Sequence, residues 1–97
     1  MNIALFMHDE KIDGSDTGIM PILILRTSER AVVEVGKEII VKKDINYLSL
    51  WLLTKQIKEI YVQDIDPVIK SLFEKLGITV RRHGDVVKNP LLKEFIS

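Results

Sequence analysis

The chain has 97 residues, 46% of them hydrophobic, which suits one small domain with a single core, and we expect residues 1–97 to form it. Its 14 basic and 14 acidic residues cancel, so no net field attracts nucleic acid or an anionic membrane. The absence of cysteine excludes disulfides, thiolate metal ligands and cysteine nucleophiles.

The first predicted element is a short buried strand at residues 2–7, followed by a polar loop with two glycines, HDEKIDGSDTG. The opening stretch has no basic region, and its apolar run is shorter than a secretory signal requires. No apolar run approaches the roughly 20 residues that span a bilayer. We therefore expect a cytoplasmic protein.

Residues 21–35 have the pattern of a β-hairpin, with PILIL and AVVEV on either side of a polar turn that holds Ser28 and Glu29. Gly36 interrupts the second strand. Residues 38–41 then either extend that strand past a bulge at the glycine or form a short strand of their own.

The segment INYLSLWLLTKQI, which begins at Ile45, predicts a helix with Asp44 as its N-cap. Its apolar surface includes Leu50, Trp51 and Leu53, which makes it wider than a one-sided stripe. The helix is therefore either deeply buried or part of a subunit contact.

The second half of the chain reads as strand and helix units. Asp66 precedes the proline that opens the first of these helices, and Gly77 follows its last turn, so both have the character of caps. The predicted elements are a buried strand at 59–63, a helix at 67–76, a strand at 78–82 and a last short helix opened by Asn89 and Pro90.

The predicted order is βββαβαβα. A hairpin implies antiparallel pairing in the first half, whereas strand–helix–strand units form parallel pairs in the second. The fold class expected from this order is α/β, with a mixed sheet of about five strands and flanking helices.

Two acids, Asp64 and Asp66, directly follow the buried strand at 59–63. Ligand sites of open parallel sheets lie beyond the carboxyl ends of strands, and the early polar loop also leaves such an end. If the two loops meet, their carboxylates could hold Mg²⁺. The simpler interpretation makes Asp66 a helix cap and Asp64 a solvated turn residue. The possible neighbours in the early loop are His8, Asp9, Asp13 and Asp16.

The remaining polar residues give weaker signals. His8 and His83 lack the spacing of metal-ligand pairs, and no serine lies in a GxSxG context. Two small basic groups, Arg81–His83 and Lys42–Lys43, have the character of solvated strand ends, although either could meet an anion.

The stretch Glu59–Val80, EIYVQDIDPVIKSLFEKLGITV, resembles the dinitrogenase iron-molybdenum cofactor biosynthesis family, a group of small nitrogenase-accessory domains. That resemblance implies a ribonuclease-H-like mixed sheet. It also implies a concave surface near the two loops that binds iron-sulfur or iron-molybdenum cofactor precursors. The matching residues are Ile65, Pro67, Phe73, Gly77, Ile78 and Val80.

The chain departs from the family pattern in both loops. Gln63, Asp64 and Asp66 stand where the family commonly has glycines, and Asp16, Thr17 and Gly18 stand where it often has His-Phe-Gly. A bulky acidic loop repels anionic sulfur-rich clusters that glycine N–H groups would cradle. The resemblance implies that cofactor binding, if retained, involves Asp16, Gly18, Gln63 and Asp64.

The function expected from these observations is a non-catalytic binding or accessory module that has lost the family's usual ligand residues. It would bind a protein partner or itself through the apolar residues around Trp51 and through the C-terminal Leu91, Leu92, Phe95 and Ile96. Two alternatives remain: retained cluster carriage, and a divalent-metal enzyme that acts on phosphate esters through Asp9, Asp64 and Asp66.

Overall fold

The computed structural model describes residues 1–6, 11–12, 18–29, 31–42 and 45–89. In chain order the elements are β1 (Asn2–Phe6), β2 (Lys11–Ile12), β3 (Gly18–Ser28), β4 (Ala31–Lys42), α1 (Ile45–Thr54), β5 (Ile57–Val62), β6 (Asp64–Ile65), α2 (Pro67–Lys75), β7 (Thr79–Arg82) and a 3₁₀ helix (His83–Lys88).

Five of these strands form one mixed sheet in the order β4-β3-β1-β5-β7. β3 runs antiparallel to both of its neighbours, and β1, β5 and β7 are parallel to one another. This is the ribonuclease-H-like arrangement of an α/β fold, so the expected fold class is confirmed. β2 and β6 form a separate two-stranded parallel sheet.

Both α-helices cover the same face of the main sheet, here called the helix face. Successive residues of a strand point to opposite sides, so Ala4 and Phe6 of β1 face the helices. The helices contribute Leu48, Leu52, Ile69 and Phe73 to this core, all of them buried. These spacings are those of a helical apolar stripe, which accounts for the predicted helices.

The opposite side of the sheet, here called the second face, has a smaller core. Ile3 and Leu5 of β1 lie there with Leu25 and Tyr61, and Val86 of the 3₁₀ helix packs against them. β1 is consequently buried on both faces. A strand in that position is apolar at nearly every residue, as NIALF is.

Helix α2 ends as its sequence predicts. Gly77 has a φ of 86°, the left-handed conformation that glycine adopts without steric cost. Its N–H donates to the carbonyl of Glu74 at 3.1 Å, and the N–H of Ile78 donates to the carbonyl of Phe73 at 3.0 Å. These two bonds form a Schellman motif, and the core contact of Ile78 and Phe73 completes it.

The β3–β4 hairpin is longer than predicted, and its bulge lies elsewhere. The turn contains Glu29, as expected, with a φ of 58°. Gly36 continues the ladder opposite Ile24, and the register shifts between Arg26 and Thr27 instead. The prediction of a bulge at Gly36 is therefore wrong, because glycine retains the N–H and C=O groups that a strand ladder needs. Residues 38–41 extend the strand, as one of the two alternatives stated.

Two kinds of element were absent from the prediction. β2 and β6 have only two residues each, too few for a periodic signal, and the 3₁₀ helix lies between the predicted strand at 78–82 and the predicted last helix, where no element was predicted. The predicted helix after Pro90 and the N-cap Asp44 lie outside the described residues. Neither described α-helix is long and apolar enough to cross a membrane.

Helix α1 is not buried all round. Leu48, Ser49 and Leu52 are buried, whereas Leu50 is 65% exposed and Leu53 42% exposed. Of the two alternatives for its wide apolar surface, deep burial is therefore wrong. Trp51 is half-buried, with the ammonium of Lys55 at 5.9 Å from its ring centroid.

We expect Phe73→Ala to lower the free energy of unfolding by about 3–5 kcal/mol, because it removes a fully buried ring and leaves a cavity under α2. Chemical denaturation followed by circular dichroism measures this. The control is Val68→Ala on the same helix, where the side chain is 78% exposed and the change should stay within about 0.5 kcal/mol. Equal effects of the two substitutions would contradict the assigned packing of α2.

Candidate functional site

The loops that follow β1 and β5 meet at one end of the sheet. Because β1 and β5 are parallel neighbours, both chains leave the sheet at the same end, after Phe6 and Val62. Lys11 then pairs with Asp64, and Ile12 with Ile65. The N–H of Asp66 also donates to the carbonyl of Ile12 at 2.8 Å. The loops that follow β1 and β5 therefore converge, as the hypothesis of a ligand site at this end of the sheet requires.

Apolar side chains anchor this junction while polar ones remain at the surface. Ile12 is buried and Ile65 is half-buried, and both join the helix-face core. Gln63 and Asp64 are exposed. The junction thus presents an amide and a carboxylate to solvent on a fixed backbone.

Gly18 begins β3 at the same end of the sheet, since β3 is antiparallel to β1 and pairs Ile22 with Phe6. Three of the four residues expected around a cofactor, Gly18, Gln63 and Asp64, therefore lie toward this end. The fourth, Asp16, lies outside the described residues, as do His8, Asp9 and Asp13.

Asp66 has the structural task predicted for it. Its Oδ1 accepts a hydrogen bond from the N–H of Val68 at 2.8 Å, and Pro67 occupies the first helical position of α2. Its backbone is extended, as an N-cap residue requires. Within the described part of the chain, no three His, Asp or Glu side chains are grouped so that they could hold a metal ion.

A second polar cluster lies on the second face of the sheet, on β5, β7 and the segment that follows β7. Arg81 Nε donates to Oε1 of Glu59, whose side chain is buried although it is charged. Asn89 Nδ2 donates to the hydroxyl of Tyr61 at 3.2 Å. These residues line an open cleft of about 550 Å³, together with Asp85 and Lys88, which form an ion pair at 3.5 Å.

The charges of this cluster compensate each other. The hydrogen bond with Glu59 raises the pKa of Arg81, so the buried carboxylate keeps a charged partner. Burial raises the pKa of the Tyr61 hydroxyl above its ordinary value of 10.0, and the hydrogen bond with Asn89 offsets part of this. An unpaired carboxylate at this depth would be strongly destabilising.

Neither Glu59 nor Tyr61 was predicted to have a role. The available signal was an acid inside a strand that had been predicted as buried, since such an acid needs a cationic partner. Arg81 was predicted to form a basic group with Arg82 and His83, but its guanidinium forms an ion pair with Glu59. In the other predicted basic group, Lys42–Lys43, Lys43 lies outside the described residues.

No family model and no curated protein matches this sequence. The fold is similar to the crystal structure of the protein PH0822, with a TM-score of 0.69 over 91% of this chain and 86% of that chain. The two sequences are 19% identical, so the similarity extends to the fold alone. The chain is thus a small α/β domain with a shared architecture.

We expect Asp66→Ala to destabilise the protein by about 1 kcal/mol, because it removes the side-chain acceptor at the start of α2. Asp64→Ala is the matched control, since it removes the same charge two residues earlier from an exposed position. Thermal and urea unfolding of both variants measure the difference. Equal destabilisation would show that the effect is one of charge and not of capping.

We expect Tyr61 to titrate above pH 10 in the folded protein, because burial disfavours the phenolate. The stability that this provides is complete below pH 10 and is lost as the pH rises toward the folded-state pKa. Ultraviolet absorption of a Tyr47→Phe variant, which keeps Tyr61 alone, measures the titration. The same variant unfolded in guanidinium gives the reference, and identical midpoints would contradict the burial of the hydroxyl.

Proposed function

We propose that the protein is a non-catalytic binding or accessory module related to the iron-molybdenum and iron-sulfur cofactor biosynthesis domains. Its ligand surface is the junction of the two loops beyond β1 and β5. The observation that carries the proposal is the pairing of Lys11–Ile12 with Asp64–Ile65, which holds both loops at the one end of the sheet where such folds place ligands.

The segment that resembles the family supports this location. It runs through β5, β6, α2 and β7 without a gap, so its departures from the family pattern fall at the loop junction and not in the core. Asp64 is exposed there while its backbone is fixed by pairing with Lys11. The carboxylate that Asp64 adds makes the local potential negative, whereas a glycine there would leave its backbone N–H as the nearest group to an anion.

The departures therefore favour a changed ligand. A surface that presents a carboxylate disfavours an anionic sulfur-rich cluster and suits a protein partner or another ligand of lower negative charge. The module keeps the family's architecture and its loop convergence, and it has lost affinity for the cluster.

The divalent-metal enzyme has less support. Such an enzyme needs the carboxylates of Asp9, Asp64 and Asp66 together. Asp66 is already used as a helix cap, since its Oδ1 accepts a hydrogen bond from the N–H of Val68. Asp9 lies outside the described residues. Calorimetric titration with Mg²⁺ and Mn²⁺ separates the two functions, because binding heat that disappears in Asp64→Ala would favour the enzyme.

The charge effect is tested with tetrathiomolybdate, a small molybdenum–sulfur dianion that serves as a probe of cluster chemistry. We expect the double variant Gln63→Gly, Asp64→Gly to bind this probe at least about fivefold more tightly than the wild type, because a like charge near the anion is removed. Backbone amide resonances locate the binding, and those of Gly18 and residues 63–65 should shift most.

The matched control is Glu74→Gln, which removes one exposed negative charge from α2, remote from the junction, and should leave the affinity unchanged. Resonance shifts elsewhere on the sheet, or an equal gain in the control, would contradict a ligand surface at the loops. A wild-type protein that becomes brown after reconstitution with iron and sulfide would show instead that cluster carriage is retained.

A further inference from the structure

An open cleft lies at the end of the main sheet opposite the loop junction, and it is here called the amino-end cleft. It has a volume of about 640 Å³ and lies where β1 and β5 begin, since Asn2 and Lys58 both line it. The turn end of the β3–β4 hairpin contributes Arg26, Ser28 and Val33. Small-molecule sites in proteins have volumes of this order, so the cleft is large enough for such a ligand.

Both described register shifts of the main sheet border this cleft. The pairing of β3 with β4 skips Val33, and the pairing of β1 with β5 skips Lys58. Such bulges change the direction of a side chain, and they are common beside functional sites. The turn between α1 and β5 adds Gln56, whose φ of 57° is left-handed and uncommon for a residue other than glycine. Three irregular backbone positions therefore bring their side chains to one cleft.

The charged side chains of the amino-end cleft are positive. Among the described residues that line it, these are Arg26 and Lys58, and both are exposed. Arg26 bonds Glu34 at 2.8 Å, and both of these side chains are more than half exposed. None of the ion pairs between described residues includes Lys58. The cleft thus has an excess of positive charge that the described acids compensate only in part.

The two cations are close enough to bind one anion together. Asn2 pairs with Arg26 on one side and with Ile57, the residue before Lys58, on the other. Adjacent strands are about 4.8 Å apart, so the two outer backbones are roughly 10 Å apart. Arginine and lysine have long side chains, which cover such a distance from both sides. An anion above Asn2 would therefore contact both cations.

We propose that the amino-end cleft binds a phosphate monoester with a small apolar or aromatic group. A phosphate monoester carries a charge of about −1.5 to −2 at pH 7 and three acceptor oxygens, which suit a guanidinium together with an ammonium. Ser28 and Gln56 add a hydroxyl and an amide to the same cleft. Val33 is 52% exposed and Met1 58% exposed, so the organic group would cover apolar surface there. This inference does not depend on the loop junction or on its ligand.

The open cleft beside Tyr61 does not have this excess of positive charge. Its cations, Arg81 and Lys88, form ion pairs with Glu59 and Asp85, and these two acids line the same cleft. An anion bound there would meet two carboxylates at close range, and like charges repel. The charges of the two clefts therefore favour the amino-end cleft as the anion site.

Titration with phenyl phosphate, followed through the backbone amide resonances, tests the site and its ligand class. We expect the largest resonance shifts at residues 26–28, 33 and 56–58. Inorganic phosphate lacks the ring and benzoate has one negative charge, so each should bind at least about threefold more weakly. No binding of phenyl phosphate, or shifts mainly elsewhere, would overturn the site. Equal affinity for inorganic phosphate or for benzoate would overturn the choice of a phosphate monoester.

Charge variants test the two cations. Lys58→Gln should weaken the binding of phenyl phosphate at least about fivefold, whereas Lys58→Arg keeps the charge and should stay within about twofold of the wild type. Glu34→Gln should strengthen binding about twofold or more, because it removes the carboxylate that competes with the ligand for Arg26. Lys58 is exposed, so thermal unfolding of Lys58→Gln should show an intact fold.

The matched controls are Lys70→Gln and Glu74→Gln, which remove the same charges from exposed positions on α2. Both should leave the affinity for phenyl phosphate unchanged. An equal loss in Lys70→Gln and Lys58→Gln would show only a general attraction of anions and would overturn the proposal. So would an unchanged affinity in Lys58→Gln.

Discussion

The burial of β1 on both faces is the constraint on which the other features depend. This strand bonds to β3 on one side and to β5 on the other, and it places Ile3 and Leu5 in one core and Ala4 and Phe6 in the other. It is also where the sheet changes from antiparallel to parallel pairing. Because β5 must run in the same direction as β1, the chain leaves both strands at one end, and the loop junction follows from that pairing.

The neighbouring strand β5 is also buried on both faces, and this explains the polar cluster on the second face. Beside β1, β5 alternates between residues that pack under the helices and residues that face the opposite side, such as Glu59 and Tyr61. The second face has only the 3₁₀ helix as a described cover, and its core is small. A carboxylate is tolerated there because Arg81, on the neighbouring strand β7, is within reach of it. The ion pair is thus a consequence of placing an acid in a strand that is buried on both sides.

Periodicity predicted the parts of the fold that depend on burial, and it failed where structure depends on contacts distant in sequence. The stripe of α2, the cap at Asp66 and the stop at Gly77 are local features and were all predicted. The two-residue pairing that forms the loop junction has no local signal, since Lys11 meets Asp64 only after the sheet has formed. The alternative that placed a bulge at Gly36 also had only a local signal, whereas the register shifts opposite Arg26 and Thr27. Glycine permits an irregular backbone but does not impose one.

The partner of Glu59 was also beyond a local analysis. The buried acid was visible in the sequence, but its neighbour Arg81 is 22 residues away and was grouped with the charges that follow it. Similarly, the wide apolar surface of α1 left two alternatives, because a sequence does not show how many sides of a helix are covered. In the structure α1 lies on one face of a five-stranded sheet, and Leu50 and Leu53 remain exposed.

Strand direction also determines how the loop junction and the β4 edge are related. β4 is antiparallel to β3, which is antiparallel to β1, so β4 runs in the direction of β1. Its carboxyl end therefore lies at the same end of the sheet as the loop junction. Of the five described strands of the main sheet, β1, β4, β5 and β7 therefore end where the loop junction lies, and β3 alone begins there.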